Sequence, residues 1–294
     1  RGRTMTCNII HRTVYGYSAP VTVSQHAARV EPRSLRDQFL EEFSLRIEPE
    51  PSVRTTRTDY FGNRICFFSI QEVHSRLEIV AECRVTVVPV TQPVLSLSPR
   101  WEQVARLFSD PVSPEVVEPY EFVFDSPLLR ASPALADYAR QSFSAASPLL
   151  ASVLDFNRRI HADFKYDKIA TTVATPLEEV IKNRRGVCQD FAHFGIACLR
   201  SLGLAARYVS GYLRTQPPGG KPALVGADAS HAWFSVFCPG LGWIDFDPTN
   251  NVMPETAHIT LAYGRDFNDV SPVSGIITGG GKHNVKAGVT VSVL

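Results

Sequence analysis

The stretch from residue 186 to residue 213 places the tightest limit on the fold. Residues 188–202 are predicted to form a helix, because apolar side chains recur at helical spacing on Phe191, Phe194, Cys198 and Leu202. Gly203 follows at the position where a residue in the left-handed conformation ends a helix. Residues 205–213 then have the composition of a strand. The fold must therefore accommodate a helix that is followed at once by a strand.

The first third of the chain is typical of β structure. Alternating or β-branched runs are separated by turn signals, and these runs lie at 7–17, 43–47, 64–70 and 77–90. We expect residues 1–95 to form a β-rich domain, built as an antiparallel sandwich or barrel. The whole chain is then predicted to be of the α+β class.

Helical signals replace the β pattern after a proline-punctuated stretch. Ser132 and Pro133 predict a helix that runs to about residue 144, with the serine as its N-cap. A helical period covers residues 147–163, and Thr175 is the expected cap of a further helix.

These patterns suggest a division of the remaining chain into three parts. Residues 96–150 are expected to form a helical connector, and residues 151–265 the core that carries the chemistry. Residues 266–294 are expected to return to a sheet, because residues 289–293 alternate apolar and polar side chains after a glycine turn.

Composition excludes several classes of partner. The chain of 294 residues has a formal net charge of +1 and only short basic clusters, so a nucleic-acid partner is not expected. No run approaches the roughly 18 apolar residues of a membrane span, so no membrane partner is expected either. The six cysteines are scattered singly, without a Cys-x-x-Cys pair, and this favours a reducing cytoplasm.

Cys188 is the candidate nucleophile. It stands at the predicted start of a helix, where unpaired backbone N–H groups and the helix dipole favour a thiolate. The backbone N–H of the same residue can also stabilise an oxyanion. The alternative interpretation is a buried structural thiol, which is what we expect of Cys198 on the same helix.

A predicted hairpin supplies a base and a carboxylate. Residues 231–238 and 242–247 are expected to pair as antiparallel strands across a turn at Pro239 and Gly240, which brings His231 next to Asp247. Asp245 shares a face with Asp247 in a strand, so periodicity leaves both carboxylates open. Asp228 is also close to His231 in sequence.

Four ordered motifs resemble the transglutaminase-like superfamily. They are GVCQDFA at 186–192, LGLAARYVSGY at 202–212, HAW at 231–233 and GWIDFDPT at 242–249. HRTVYGY at 11–17, with PV at 20–21, and GRDFNDVSP at 264–272 extend the resemblance over nearly the whole chain, which looks most like the bacterial branch of predicted cysteine proteases.

The resemblance implies a papain-like core with Cys188 as nucleophile, His231 as base and Asp247, rather than Asp245, as the carboxylate that orients the base. In the larger animal enzymes of the family, a tryptophan upstream of the cysteine is the side-chain oxyanion donor. No tryptophan lies between Trp101 and Cys188, so that role is open here. The calcium sites of those enzymes have no evident counterpart, and neither a metal nor another cofactor is expected.

We expect thiol-dependent acyl transfer on peptide or carboxamide bonds through a thioester, with hydrolysis favoured. A cross-linking transglutaminase and a non-catalytic peptide-binding module are the alternatives. The expected partner is a peptide or protein substrate, and the oligomeric state is left open. Three residues are expected to line the cleft, namely Gln189, Tyr212 and Trp233.

Overall fold

The first sheet is built mainly from the N-terminal part of the chain. The computed structural model describes residues 3–109, 114–171, 175–214 and 230–294. Five strands follow one another, β1 (Met5–Ala28), β2 (Gln38–Glu48), β3 (Val53–Thr58), β4 (Arg64–Ile70) and β5 (His74–Val87). They lie in the order β2-β5-β1-β4-β3, with every pairing antiparallel. The 24-residue strand β1 is the centre of this curled sheet.

Short helices connect this sheet to the core. They are α1 (Trp101–Ser109), α2 (Val117–Tyr120), α3 (Pro133–Arg140), α4 (Leu149–Asp163) and α5 (Leu177–Asn183). Two short parallel strands flank α5, namely β6 (Lys165–Tyr166) and β7 (Arg185–Gly186).

The two predicted helix caps have different outcomes. The Ser132 hydroxyl accepts a hydrogen bond from the backbone N–H of Leu135, as expected for the N-cap of α3. The cap at Thr175 is wrong, because α5 begins at Leu177 and its N-cap is Pro176, whose ring fixes the extended entry to the helix.

A helix and an antiparallel sheet form the core. Helix α6 (Cys188–Ser201) precedes the strands β8 (Ala206–Leu213), β9 (His231–Cys238), β10 (Gly242–Phe246) and β11 (His258–Gly264). Among the described residues these strands form a four-stranded sheet in the order β10-β9-β8-β11. Helix α6 packs closely on β9, since a Cβ atom at Gly195 would lie 2.8 Å from the ring of Phe234.

The C-terminal segment returns to the first sheet. After α7 (Phe267–Val270), strands β12 (Val273–Gly279) and β13 (His283–Val293) both pair with β1. Strand β13 pairs with the first half of β1, and strand β12 pairs with its second half. Three consecutive glycines with positive φ, 279–281, turn the chain between β12 and β13.

Polar side chains join the two sheets across a shared core. Gln38 accepts a hydrogen bond from the Thr260 N–H at 2.7 Å and donates to the Thr260 carbonyl at 2.8 Å. Asn63 makes the same pair of bonds with the backbone of Tyr263, each at 2.8 Å. Buried apolar residues of β1 and β5 belong to the same cluster as those of α6 and β8.

The predicted α+β class, with an antiparallel β-rich N-terminal region, is confirmed. Within the described ranges, no helix is long and apolar enough to cross a membrane.

Candidate active site

Cys188 is the first residue of α6 and is 9% exposed. The Asp190 carboxylate accepts hydrogen bonds from the Val187 N–H at 2.8 Å and from the Thr171 hydroxyl at 2.6 Å, which fixes the entry to the helix. In the described part of the chain, the backbone N–H of Cys188 has no acceptor, as is usual for the first turn of a helix. The thiol therefore lies beside an unpaired backbone donor at the positive end of the helix dipole.

His231 is the first residue of β9 and is 1% exposed. Its Nε2 atom lies 2.8 Å from Asp247 Oδ2. Its Nδ1 atom is buried and has no nitrogen or oxygen partner among the described residues, and Cys188 acts on the ring both as a neighbouring charge and as a hydrogen-bond partner. Burial lowers the pKa of His231, but the charges of Asp247 and Cys188 outweigh it and raise the pKa to about 10.

Asp247 is fully buried and bound by several donors. Its Oδ1 atom accepts from the backbone N–H groups of Thr249 at 2.9 Å and Asn250 at 3.2 Å, which forms a tight turn. Its Oδ2 atom accepts from His231 and from the Asn250 side chain at 2.7 Å. Burial raises the pKa of Asp247, yet the two neighbouring histidines, first His231, hold it well below its usual range. The carboxylate therefore stays charged and holds the imidazole ring in place.

Asp245 and Asp247, which periodicity alone does not distinguish, have different hydrogen-bond partners in the structure. Asp245 accepts hydrogen bonds from Trp233 Nε1 at 2.9 Å and from the Ser235 hydroxyl. Asp247, and not Asp245, is hydrogen-bonded to His231. Asp228 lies outside the described residues.

His258 is a member of this cluster that sequence reasoning missed. Its Nε2 atom lies 3.0 Å from Asp247 Oδ2. It begins β11, at the far edge of the sheet from β10, and no sequence pattern indicates which strands become neighbours there.

The ligand atoms of His231, Asp247 and His258 lie within 4.8 Å of one another, a spacing that a metal site would also show. However, Asp247 Oδ2 lies 2.8 and 3.0 Å from the two histidine nitrogens. Two atoms bound tetrahedrally to zinc would be roughly 3.3 Å apart. The geometry is that of a hydrogen-bonded cluster.

A cavity of about 370 Å³ brings Cys188 and His231 together. Gln189, Tyr208 and Ser210 also line it, and Ala287 of β13 contributes to its wall. A larger cavity of about 700 Å³ lies between α3, α5 and α6, and Gln189 lines both cavities.

Of the three expected cleft-lining residues, Gln189 is found at the cavity and the other two are not. The Tyr212 hydroxyl lies 2.8 Å from His11 Nδ1, between the two sheets, and the residue is fully buried. Trp233 is also fully buried and donates to Asp245 in a separate cavity of about 210 Å³. The polar atoms of both aromatic residues bind partners inside the protein, and neither residue lines the cavity that holds Cys188.

A cysteine at a helix N-terminus, facing a sheet that carries a histidine, defines the general class of thiol-dependent acyl-transfer enzymes. The chain belongs to the transglutaminase-like superfamily. Residues 136–248 match that superfamily, and residues 7–86 match the bacterial transglutaminase-like N-terminal region.

Several known proteins are similar to this chain. An uncharacterized protein of Mycobacterium tuberculosis is 40% identical over 276 residues, which cover 92% of this chain and 86% of that protein. A protein-glutamine gamma-glutamyltransferase of Pseudomonas aeruginosa is 36% identical over 126 residues, or 42% of this chain and 18% of that protein. The crystal structure of a candidate cysteine protease from Cytophaga hutchinsonii matches with a TM-score of 0.76. That match covers 100% of this chain and 92% of the other at 23% identity, and shows a shared papain-like fold.

Proposed function

We propose that this chain is a cysteine protease or amidase in which Cys188, His231 and Asp247 act together on a peptide or carboxamide bond. The observation that carries the proposal is the position of His231. It lines a cavity with the Cys188 thiol, while its Nε2 atom is hydrogen-bonded to a buried carboxylate. This arrangement supports a thiolate–imidazolium pair, since both neighbours of the imidazole ring favour its charged form.

In the first half of the reaction, the Cys188 sulfur adds to the carbonyl carbon, and the C–N bond then breaks. The leaving amine takes a proton from the His231 imidazolium, and a thioester remains on the enzyme. Asp247 keeps the ring oriented during this transfer and stabilises its charged form.

In the second half, His231 takes a proton from an attacking water molecule. The new C–O bond forms, the C–S bond breaks, and the carboxylic acid product leaves. The thiol and the base then return to their starting state, so that the net reaction is hydrolysis of one amide bond.

Cross-linking is the second candidate, and it shares the first half of this sequence. A primary amine in place of water would resolve the thioester to a new amide. The similarity of 126 residues to a protein-glutamine gamma-glutamyltransferase favours keeping this candidate. The two functions differ only in the acceptor that reaches the thioester.

The test uses dimethylcasein, whose blocked lysines cannot act as acceptors, with and without monodansylcadaverine. Hydrolysis predicts release of ammonia or new peptide ends without incorporation of the dansyl label, whereas cross-linking predicts incorporation.

Cys188→Ala should abolish either product. Cys198→Ala is the matched control on the same helix, because Cys198 is a fully buried core thiol. Turnover that survives Cys188→Ala would refute the proposed nucleophile. Peptide binding without turnover or thiol reactivity in the unmodified chain would instead favour a non-catalytic binding module.

We further propose that the protein works on a peptide or protein substrate in a reducing compartment such as the cytoplasm. The six cysteines are free thiols and all are buried. Fractionation of cells that produce the native chain tests the location, and recovery outside the cytoplasm would contradict it.

A further inference from the structure

Attack of a thiolate on an amide carbonyl creates a negatively charged oxygen, and enzymes stabilise that oxygen with hydrogen-bond donors already in place. The backbone N–H of Cys188 has no acceptor in the described part of the chain and offers one such donor. The other side chains that line the cavity with Cys188 are the candidates for a second donor, which would stabilise the oxyanion further.

Tyr208 has an unusual hydroxyl group for a buried tyrosine. The residue is 2% exposed and lines the same cavity as Cys188. Its ring packs against those of His193 and Phe267, with centroids 5.0 and 6.4 Å away. No hydrogen bond joins this hydroxyl to any other residue that the structure describes. Buried tyrosine hydroxyls usually find a partner, and a partner supplied by the substrate would satisfy this one.

The charges around Tyr208 keep the phenol in its donor form. Its pKa is raised well above the usual value, first by burial and then by the negative charges of Cys188, Asp190 and Asp266. A phenol that stays protonated beside a thiolate can donate to an oxyanion formed at that sulfur.

Tyr212 provides an internal comparison. It lies four residues further along β8, on the same face of the strand, and is also fully buried. Its hydroxyl is bound to His11, and the residue does not line the cavity with Cys188. The two tyrosines therefore share a strand and a burial level but differ in whether the hydroxyl group has a partner.

We propose that the Tyr208 hydroxyl is the side-chain oxyanion donor, acting with the backbone N–H of Cys188. This role rests on the proposed function of Cys188 as the nucleophile. The phenol donates a hydrogen bond while the tetrahedral intermediate exists, and it keeps its proton throughout.

The test compares two reactions of the same thiol in the full chain. Acetylation by p-nitrophenyl acetate passes through a tetrahedral oxyanion, whereas alkylation by iodoacetamide displaces iodide at a saturated carbon and forms none. Both rates are corrected with Cys188→Ala. In Tyr208→Phe we expect the ratio of acetylation to alkylation to fall by at least about tenfold, with the alkylation rate nearly unchanged.

Two control variants make the result decisive. Tyr212→Phe removes a hydroxyl from the same strand and should leave the ratio unchanged. Ser210→Ala removes a shorter hydroxyl from the same cavity and should change the ratio less than Tyr208→Phe. An unchanged ratio in Tyr208→Phe, an equal loss of both rates, or a selective loss only in Ser210→Ala would each overturn the assignment. A wild-type thiol that reacts with neither reagent would instead refute the proposed nucleophile.

Discussion

At the scale of single residues, the pairing of His231 with a carboxylate could be inferred from the sequence, because antiparallel pairing places the two ends of a hairpin side by side. The choice of Asp247 depends on the turn that follows it. There the backbone N–H groups of Thr249 and Asn250 hold its Oδ1 atom, and this leaves Oδ2 for His231. The sequence pattern of a strand contains no information about that turn, so Asp245 could not be excluded from periodicity alone.

The two aspartates differ in their expected effects. Asp247→Asn should lower the turnover of an amide substrate by roughly 10²-fold or more, because His231 loses the anion that favours its charged form. Asp245→Asn should leave turnover within about threefold of the unmodified protein and affect stability instead, since its partners are Trp233 and Ser235. Turnover and thermal unfolding of both variants provide the check. A larger loss of turnover in Asp245→Asn would reverse the assignment.

His258 could not be inferred from the sequence, because its contact with Asp247 crosses the full width of a sheet whose strand order is not sequential. The same holds for the hydrogen bonds that remove Tyr212 from the cavity. Its partner, His11, lies 201 residues away in the chain. Contacts of this kind depend on the packing of distant elements, which local periodicity does not encode.

At the scale of elements, strong local signals agree with the structure and weak ones fail. Helix α6 starts at Cys188 and is followed by Gly203 with φ of +76°, as the apolar period and the glycine predict. Strand β3 was not predicted, because all of its residues are exposed and no apolar alternation marks it. Helix α1 lies in the proline-punctuated stretch of the predicted helical connector, where the sequence pattern marks no individual helix.

The end of α6 offers a stability test on the helix that carries Cys188. Gly203→Ala should lower the free energy of unfolding by about 1 kcal/mol, because an alanine is strained in the left-handed conformation. The added methyl itself meets only the Ala105 Cβ atom, at 3.8 Å, so the cost is one of backbone strain. Gly288→Ala is the matched control, since nothing lies within 4 Å of a Cβ atom there and φ is not positive. Urea unfolding measures the free energy of unfolding of both variants. Equal values would show that the left-handed conformation of residue 203 does not contribute to the stability of the end of α6.

At the scale of the whole molecule, the first sheet and the core share one buried apolar cluster and are joined by polar side chains. The alternation in residues 289–293 indicates a strand but cannot identify β1, more than 250 residues away, as its partner. The domain boundaries proposed from the sequence stay predictions, because composition marks a change in secondary structure rather than a limit of cooperative folding.

Gln38 tests how strongly the two sheets are coupled. Gln38→Ala leaves the buried backbone N–H of Thr260 without its acceptor and removes one of two donors to the Thr260 carbonyl, which still accepts from the Arg33 N–H. It should lower the free energy of unfolding by about 2 kcal/mol. The three tryptophans lie at positions 101, 233 and 243, outside the first sheet, so their fluorescence reports on the rest of the molecule. The fluorescence and far-UV circular dichroism transitions should shift together.

Gln25 is an exposed residue of β1 and provides the control. Gln25→Ala should change the free energy of unfolding by no more than about 0.5 kcal/mol in either transition. A shift confined to circular dichroism would mean that the two sheets unfold independently.

The pairing of Cys188 with His231 is tested most directly by the pH dependence of iodoacetamide alkylation, read by mass spectrometry at Cys188. The pKa of His231 is raised to about 10, so its imidazolium is present from pH 6 to 9 and is lost only as the pH rises through about 10. We therefore expect the alkylation rate at pH 6 to stay within about tenfold of the rate at pH 9. In His231→Ala the rate should fall roughly 200-fold over the same interval, as for an ordinary thiol. A wild-type profile that already follows an ordinary thiol, and that His231→Ala leaves unchanged, would contradict the activated pair.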